Sequence, residues 1–152
     1  MTVPAARQDA DQWIAPKLSV IVPTFNERDN IAPLIEKLQA ALGHVPFEVV
    51  IVDDNSPDGT AELAKQIAAV NPGVRCIHRF GRRGLSSACI EGMASSAAEY
   101  VAVIDADHQH DEAILPQMLE RAEEGADIVV GSRYTGEGSS NAGFSRRRQA
   151  GS

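Results

Sequence analysis

Acids and amides follow an apolar segment in the middle of the chain, within VAVIDADHQHDE at positions 101–112. Asp105 and Asp107 are two residues apart, so on an extended chain their side chains point the same way, about 7 Å apart. One carboxylate can then hold a metal while the other holds a ligand or the metal's water. Gln109 repeats the spacing and adds a neutral oxygen. Carboxylate and amide oxygens favour Mg²⁺ or Mn²⁺ at such a site.

The same segment leaves a zinc site open as an alternative. His108 and His110 lie on the alternate period of the extended chain, and Asp107 stands beside them. Zinc sites are built mainly from nitrogen and sulfur ligands, and two histidines two residues apart supply no third one. A hard cation held by oxygen atoms is therefore the favoured interpretation.

Other apolar runs also end in polar segments. These segments are PTFNE at 23–27, DDNS at 53–56, DADHQ at 105–109 and GSR at 131–133. Each has an ordinary explanation: 54–59 has good turn chemistry and Glu27 can be a solvated charge near a helix start. Asp105 and Asp107 can be loop acids, with Asp111 as a helix cap after them, and Arg133 can be a surface residue. The coincidence is harder to explain, because clustered acids repel one another unless a cation compensates them.

These segments must be positioned by the elements that precede them. Short apolar runs rich in β-branched residues predict strands at 17–22, 47–52, 74–78, 100–104 and 127–130. Amphipathic or small-residue segments predict helices from a cap at Asp29 to Gly43, over 60–70, over 85–96 and over roughly 113–124. Alternating apolar strands and helices predict an α/β fold of three layers, α/β/α, with a mostly parallel sheet. Ligands of such sheets bind beyond the carboxyl ends of the strands.

Composition narrows the class of protein. The chain has 152 residues and a net charge of −7, which argues against general nucleic-acid binding. Its two cysteines have no metal-type spacing, and no apolar run is long enough to span a bilayer. We therefore expect a cytoplasmic protein. Neither G-x-x-x-x-G-K-[ST] nor G-x-G-x-x-G follows the first strand, which disfavours a P-loop NTPase or a dinucleotide-dependent dehydrogenase.

Four segments in order carry a family resemblance: LSVIVPTFNERDNI, VVIVDDNSPDGTAELA, VIDADHQHDE and DIVVGSRY. Together they resemble the inverting GT-A glycosyltransferases of family 2, above all the dolichyl- and polyprenyl-phosphate mannose synthases. The resemblance spans 18–134. It implies a donor-binding domain at 17–135, the N-terminal portion of a nucleotide-diphospho-sugar transferase fold. We expect a flexible leader at 1–16 and, at 136–152, a polar basic tail that begins a truncated acceptor-side region.

The resemblance also implies roles for single residues. The positions implied to bind the nucleotide sugar are Pro23, Phe25, Glu27, Val52, Asp53, Asp54, Asp105, Ala106 and Arg133. Asp54 is favoured over Asp53 for the contact to the base edge. The implied metal ligands are Asp105, Asp107 and Gln109, and the implied catalytic residues are Asp105, Asp107 and Arg133. Ser86 stands where the family usually has the second glycine of G-L-G, which weakens that correspondence.

The implied function is metal-dependent transfer of a hexose to a polyprenyl or dolichyl phosphate, with GDP-mannose as the favoured donor and Mg²⁺ or Mn²⁺ as the cofactor. The acceptor would place the protein at the inner face of the plasma membrane, and a homo-oligomer is possible. The basic run at 146–148 can attract a lipid phosphate or belong to a solvated tail. Three alternatives stay open: another donor such as UDP-glucose, a binding fragment without turnover, and a phosphate-accepting receiver domain.

Overall fold

Strands and helices alternate along the chain, as the sequence pattern predicts. A computed structural model describes residues 15–107 and 111–132, so the expected leader and tail lie almost wholly outside the described residues. The elements are β1 Leu18–Thr24, α1 Arg28–Leu42, β2 Phe47–Asp53, α2 Thr60–Val70, β3 Val74–His78, α3 Leu85–Ala94, β4 Tyr100–Val103, a short 3₁₀ helix Glu112–Ile114 and α4 Leu115–Glu123. No helix within these residues is long and apolar enough to cross a membrane.

The described strands form one parallel sheet in the order β3-β2-β1-β4. Leu18 of β1 pairs with Phe47 of β2 on one side and with Tyr100 of β4 on the other. Because all pairs are parallel, the carboxyl ends of the strands meet at one edge. The tip of β1 therefore lies between the tips of β2 and β4.

Helices cover the sheet on two faces, so the predicted three-layer α/β/α arrangement is confirmed. On one face α1 packs against α2 and α4, and on the other α3 packs against β1 and β2. The five apolar positions that predict α1 are all buried: they are Ile31, Leu34, Ile35, Leu38 and Leu42. Removing such side chains from water supplies roughly 1.5–3 kcal/mol each.

The bounds of β1 differ most from the prediction, while the ends of β2 and β4 differ by one residue each. β1 continues through Pro23 to Thr24 instead of ending before the proline. The Ile21 carbonyl faces β4, where it accepts a hydrogen bond from the Ile104 N–H, and Pro23 faces the same side by alternation. The β1–β4 ladder ends at the Ile21–Val103 pair, so the missing N–H of Pro23 costs no ladder bond.

The strand predicted at 127–130 is not part of the described sheet. Ile128 is 81% exposed and Val130 is 65% exposed, although the apolar pattern predicts a buried strand there. An apolar run becomes a strand only when a neighbour supplies its ladder, and within residues 15–107 and 111–132 none pairs with this run. A smaller difference concerns the end of α3, which stops at Ala94 instead of residue 96. Asp111, expected to cap a helix, caps the short 3₁₀ helix before α4 by accepting a hydrogen bond from the Ala113 N–H at 3.0 Å.

Helix α3 lies very close to the sheet at Gly92. A Cβ at this position would be 2.3 Å from Cγ2 of Ile21 and 3.0 Å from Cγ2 of Val52. Because both neighbours are fully buried in the sheet, neither can move away cheaply. This contact gives a reason for the small residues of α3.

We expect Gly92→Ala to destabilise the fold by about 1–3 kcal/mol, because overpacking outweighs the gain in helix propensity. Ser86→Ala, an exposed position on the same helix, is the control and should change stability by less than about 0.5 kcal/mol. Urea unfolding measures both. Equal stability of the two variants would show that α3 can shift at no cost.

A partly buried polar network ties the amino-terminal parts of three strands together. Glu48 of β2 accepts two hydrogen bonds from Arg75 of β3, at 2.7 and 3.0 Å, and one from Ser19 of β1 at 2.5 Å. Arg75 also donates to the Ser95 carbonyl oxygen just after α3. Burial raises the pKa of Glu48, but the hydrogen bonds from Arg75 and Ser19 outweigh it and hold the pKa below its usual value.

This lowered pKa predicts a stability that depends on pH. Glu48 contributes fully above the ordinary glutamate pKa of about 4.3, and the contribution is lost as the pH falls through the lower folded value. Glu48→Gln has no such titration. The difference in unfolding free energy between the parent and Glu48→Gln should therefore shrink between about pH 6 and pH 3. A difference that stays constant in urea titrations at both pH values would contradict this assignment.

Candidate functional site

The tip of β2 is held to the tip of β1 by Asp53. Its side chain is fully buried and accepts from the Thr24 hydroxyl at 3.0 Å. It also accepts from the hydroxyl of Ser56 at 2.6 Å and from the Ser56 N–H at 2.8 Å. All three partners lie within the protein, so in this structure Asp53 organises the turn that the sequence D-N-S-P-D-G predicts. Its expected contact with a nucleotide stays a prediction.

Asp58, further along the same turn, holds the start of α1. Its Oδ2 accepts from the Arg28 N–H at 3.2 Å, and its Oδ1 accepts from the Thr60 N–H at 3.0 Å. Asp29, the predicted cap, does not cap this helix: the N-cap residue is Glu27, whose side chain makes no capping bond. Glu27 instead accepts from the Asn30 side chain at 2.5 Å. The helix end is satisfied from a neighbouring loop, which sequence spacing cannot reveal.

Asp54 is engaged on both of its carboxylate oxygens. Oδ1 pairs with Nη1 of Arg79 at 2.6 Å, and Oδ2 accepts from the Gly84 N–H at 2.8 Å. Both oxygens serve to hold the loop between β3 and α3. The predicted contact of Asp54 with the base edge stays a prediction. Asp54 and Arg79 form an almost fully buried ion pair, with 9% and 1% of their side chains exposed.

Arg79 is the residue of this site that sequence reasoning missed. It follows β3 directly, and its guanidinium donates to the Gly84 carbonyl oxygen at 3.3 Å and the Ser87 hydroxyl at 2.6 Å. Its Nε lies 3.1 Å from Oε2 of Glu91 on α3. The only sequence signal is an arginine at a position where a buried strand ends, which is usually a surface residue.

Phe25 lies at the tip of β1, between the tips of β2 and β4. Its ring is 43% exposed, and the guanidinium carbon of Arg83 lies 4.6 Å from the ring centroid. This spacing is that of a cation–π contact. An exposed ring at this edge agrees with the predicted position of Phe25 against a ligand.

The acids that follow β4 differ from those that follow β2. Asp105 is half-buried, Ala106 is buried and Asp107 is exposed. Burial raises the pKa of the Cys89 thiol on α3, and the negative charge of Asp105 raises it further. Hard carboxylate oxygens suit Mg²⁺ or Mn²⁺. Within residues 15–107 and 111–132, no three acid, histidine or cysteine side chains form a cation site.

Of the predicted site residues, the structure brings nine to this edge and its underlying strands: Pro23, Phe25, Glu27, Val52, Asp53, Asp54, Asp105, Ala106 and Asp107. Pro23 and Val52 are buried and pair in register. Gln109 and Arg133 lie outside the described residues, as do His108 and His110 of the zinc alternative. The predicted metal ligands, including Asp107, therefore stay predictions.

The sequence matches the family described as "Glycosyl transferase family 2" over residues 19–150, most of its length. The chain belongs to glycosyl transferase family 2. Membership decides against the receiver-domain alternative. Three of the four motifs of the resemblance run through the carboxyl ends of β1, β2 and β4, and the fourth spans 127–134.

Two family 2 relatives are named dolichol-phosphate mannosyltransferase. The chain is 42% identical to the one from Pyrococcus furiosus over 118 residues, 78% of this chain and 33% of the relative. It is 36% identical to the one from Mycosarcoma maydis over 125 residues, 78% of this chain and 42% of the relative. The chain thus spans well under half the length of these relatives.

A solved mannosyltransferase structure supports the fold. A mannosyltransferase from Pyrobaculum calidifontis, solved in complex with GDP-Man and Mn²⁺, is 29% identical, with a TM-score of 0.53. The match covers 62% of this chain and 28% of that one. The predicted α/β fold, a portion of the GT-A nucleotide-sugar transferase architecture, is confirmed.

The Asp54–Arg79 pair generates a stability prediction for this family 2 chain. Arg79→Met should cost about 3 kcal/mol, because it leaves the Asp54 carboxylate buried beside no cation. Arg82→Met is the matched control: its guanidinium is 60% exposed, and the expected change is within about 0.5 kcal/mol. Adding Asp54→Asn to Arg79→Met should recover part of the loss. If Arg79→Met and Arg82→Met unfold at the same urea concentration, the pair does not hold the loop.

Proposed function

We propose that this chain is the donor-binding part of a glycosyltransferase that transfers mannose from GDP-mannose to a dolichyl or polyprenyl phosphate. The observation that carries the proposal is the edge of the sheet where the exposed Phe25 ring lies between the acids after β2 and those after β4. The names of the two relatives and the GDP-Man complex of the Pyrobaculum protein support the sugar and the acceptor.

The donor set at the tip of β4 fits a divalent metal. Asp105 and Asp107 supply hard oxygens, and Asp107 is exposed to solvent. We propose that Asp107 and Gln109, with Asp105, hold Mg²⁺ or Mn²⁺. Such a cation neutralises the charge that develops on a diphosphate leaving group. The Mn²⁺ in the Pyrobaculum complex supports a divalent cofactor for this family.

The remaining proposed roles belong to binding and orientation. Phe25 and Glu27 would line the nucleotide, and Arg133 would face the sugar or a phosphate. A lipid monophosphate has a second pKa of about 6 and is largely a dianion at neutral pH. The acceptor therefore needs orientation and charge screening more than a base to activate it. Its lipid tail would keep the full-length protein at a membrane surface.

Donor binding and sugar transfer are separate parts of this proposal. The chain spans 33% and 42% of the two relatives, so transfer is proposed for the whole protein and donor binding for this chain. A fragment that binds a nucleotide sugar without turnover is the second candidate. UDP-glucose in place of GDP-mannose is the alternative donor, and a nucleotide panel distinguishes the two.

We expect GDP and GDP-mannose to bind this chain about tenfold or more tightly with Mn²⁺ than in excess EDTA. Asp107→Asn should remove most of that difference, because it takes a charged oxygen ligand from a hard cation. Glu27→Gln should weaken binding equally with and without metal. Calorimetric titration of GDP, GDP-mannose, UDP and UDP-glucose measures these effects.

The control for Asp107→Asn is Asp29→Asn, which removes the same charge from an exposed position at the start of α1. It should bind like the parent chain. Equal affinity of the parent in Mn²⁺ and in EDTA would refute the metal bridge. Similar behaviour of Asp107→Asn and Glu27→Gln would refute the division of roles between them.

A further inference from the structure

The loop between β3 and α3 carries three arginines, and two of them are neutralised within the protein. Arg79 pairs with Asp54 and Glu91, and Arg82 pairs with Glu91 at 2.5 Å. Arg83 differs: among residues 15–107 and 111–132, no carboxylate lies within ion-pair distance of its guanidinium. Its observed contact is with the exposed face of Phe25.

Arg83 is held in place by the residues around it. The next residue, Gly84, donates its N–H to Asp54 and offers its carbonyl oxygen to Arg79. Gly81 and Gly84 have φ values of 70° and 136°, in the region that favours glycine, so they allow a backbone path that other residues would strain. Arg83 is therefore presented by an anchored loop, unlike a surface arginine on a freely moving one.

The contact with Phe25 leaves the hydrogen-bonding capacity of Arg83 available. A guanidinium carries five N–H donors in its own plane. Within residues 15–107 and 111–132, no acceptor takes a hydrogen bond from the Arg83 guanidinium. Its planar fork, which matches the oxygens of a phosphate group, is therefore available while the cation lies over the ring.

The charge around this edge creates a need for such a cation. Asp53, Asp105 and Asp107 lie at the tips of β2 and β4 beside Asp54, whose charge Arg79 already offsets, and the chain as a whole carries −7. A phosphate that approaches carboxylates must be compensated by positive charge close to it. At the tip of β1, Arg83 supplies a fixed cation that no described carboxylate offsets.

We propose that Arg83, in cation–π contact with Phe25, is a phosphate-binding residue of this site. The inference rests on the proposed function and deepens it. Two substrate phosphates have the required chemistry: the diphosphate of the nucleotide donor and the monophosphate of the prenyl acceptor. Arg79 is a positioning residue in this arrangement, because it acts on the ligand through the loop that carries Arg83.

The test compares four versions of the 152-residue chain: the parent, Arg83→Ala, Arg83→Lys and the matched control Arg82→Ala. Titrations use GDP with Mn²⁺, guanosine, farnesyl phosphate and farnesol. Arg83→Ala should lower the affinity for at least one phosphate probe about tenfold and leave guanosine and farnesol unchanged, since only a charge-assisted hydrogen bond is removed. Arg83→Lys should lie between, because it keeps the charge and loses the fork. Arg82→Ala should match the parent.

The outcomes separate the two phosphate sources and the two proposals. A loss confined to GDP assigns Arg83 to the donor diphosphate, and one confined to farnesyl phosphate assigns it to the acceptor. Unchanged affinity for both probes, equal loss in Arg82→Ala, or equal loss for guanosine overturns the role of Arg83. If the parent binds no nucleotide with Mn²⁺ but binds farnesyl phosphate through Arg83, the donor proposal fails and the role of Arg83 stands. If the parent binds neither probe, both fail.

Discussion

The buried ion pair between Asp54 and Arg79 is the interaction on which this edge of the molecule depends. Burying a carboxylate and a guanidinium costs several kcal/mol each unless geometry and further hydrogen bonds compensate. Here the 2.6 Å contact is supplemented by the Gly84 N–H on the carboxylate side and by Ser87 and Glu91 on the guanidinium side. The pair therefore fixes the β2 tip, the loop between β3 and α3, and the start of α3 relative to one another.

The acids of this edge divide into two groups by what they contact. The carboxylates of Asp53, Asp54 and Asp58 accept hydrogen bonds from hydroxyl groups, backbone N–H groups and one arginine within the protein. Asp105 is half-buried and Asp107 is exposed, and both follow β4, which lies at one side of the described sheet. The acidic cluster at the strand tips thus includes carboxylates that hold loops of the protein, and their internal partners lower the repulsion that the sequence alone suggests.

The division of the acids into two groups bears on the donor site that we propose for this member of glycosyl transferase family 2. A donor site must hold loops from several strands rigidly, because misplacement by about 1 Å can cost two orders of magnitude in rate. In the donor site proposed for this chain, the hydrogen bonds of Asp53, Asp54 and Asp58 would supply that rigidity around the exposed ring of Phe25. Gly92 adds to it by seating α3 directly on Ile21 and Val52 of the sheet.

Patterns along the chain were enough to specify the parallel α/β class, the extents of α2 and β3, the burial pattern of α1 and the gathering of polar tips at one edge. These follow from local periodicity and from the geometry of parallel strands. Three-dimensional packing was needed to establish that Asp58 and not Asp29 holds the start of α1, that Asp54 is paired with Arg79, and that 127–130 stays outside the described sheet. Each depends on contacts between residues about 25 or more apart, or on whether a neighbouring strand is present, and periodicity along the chain carries no information about such partners.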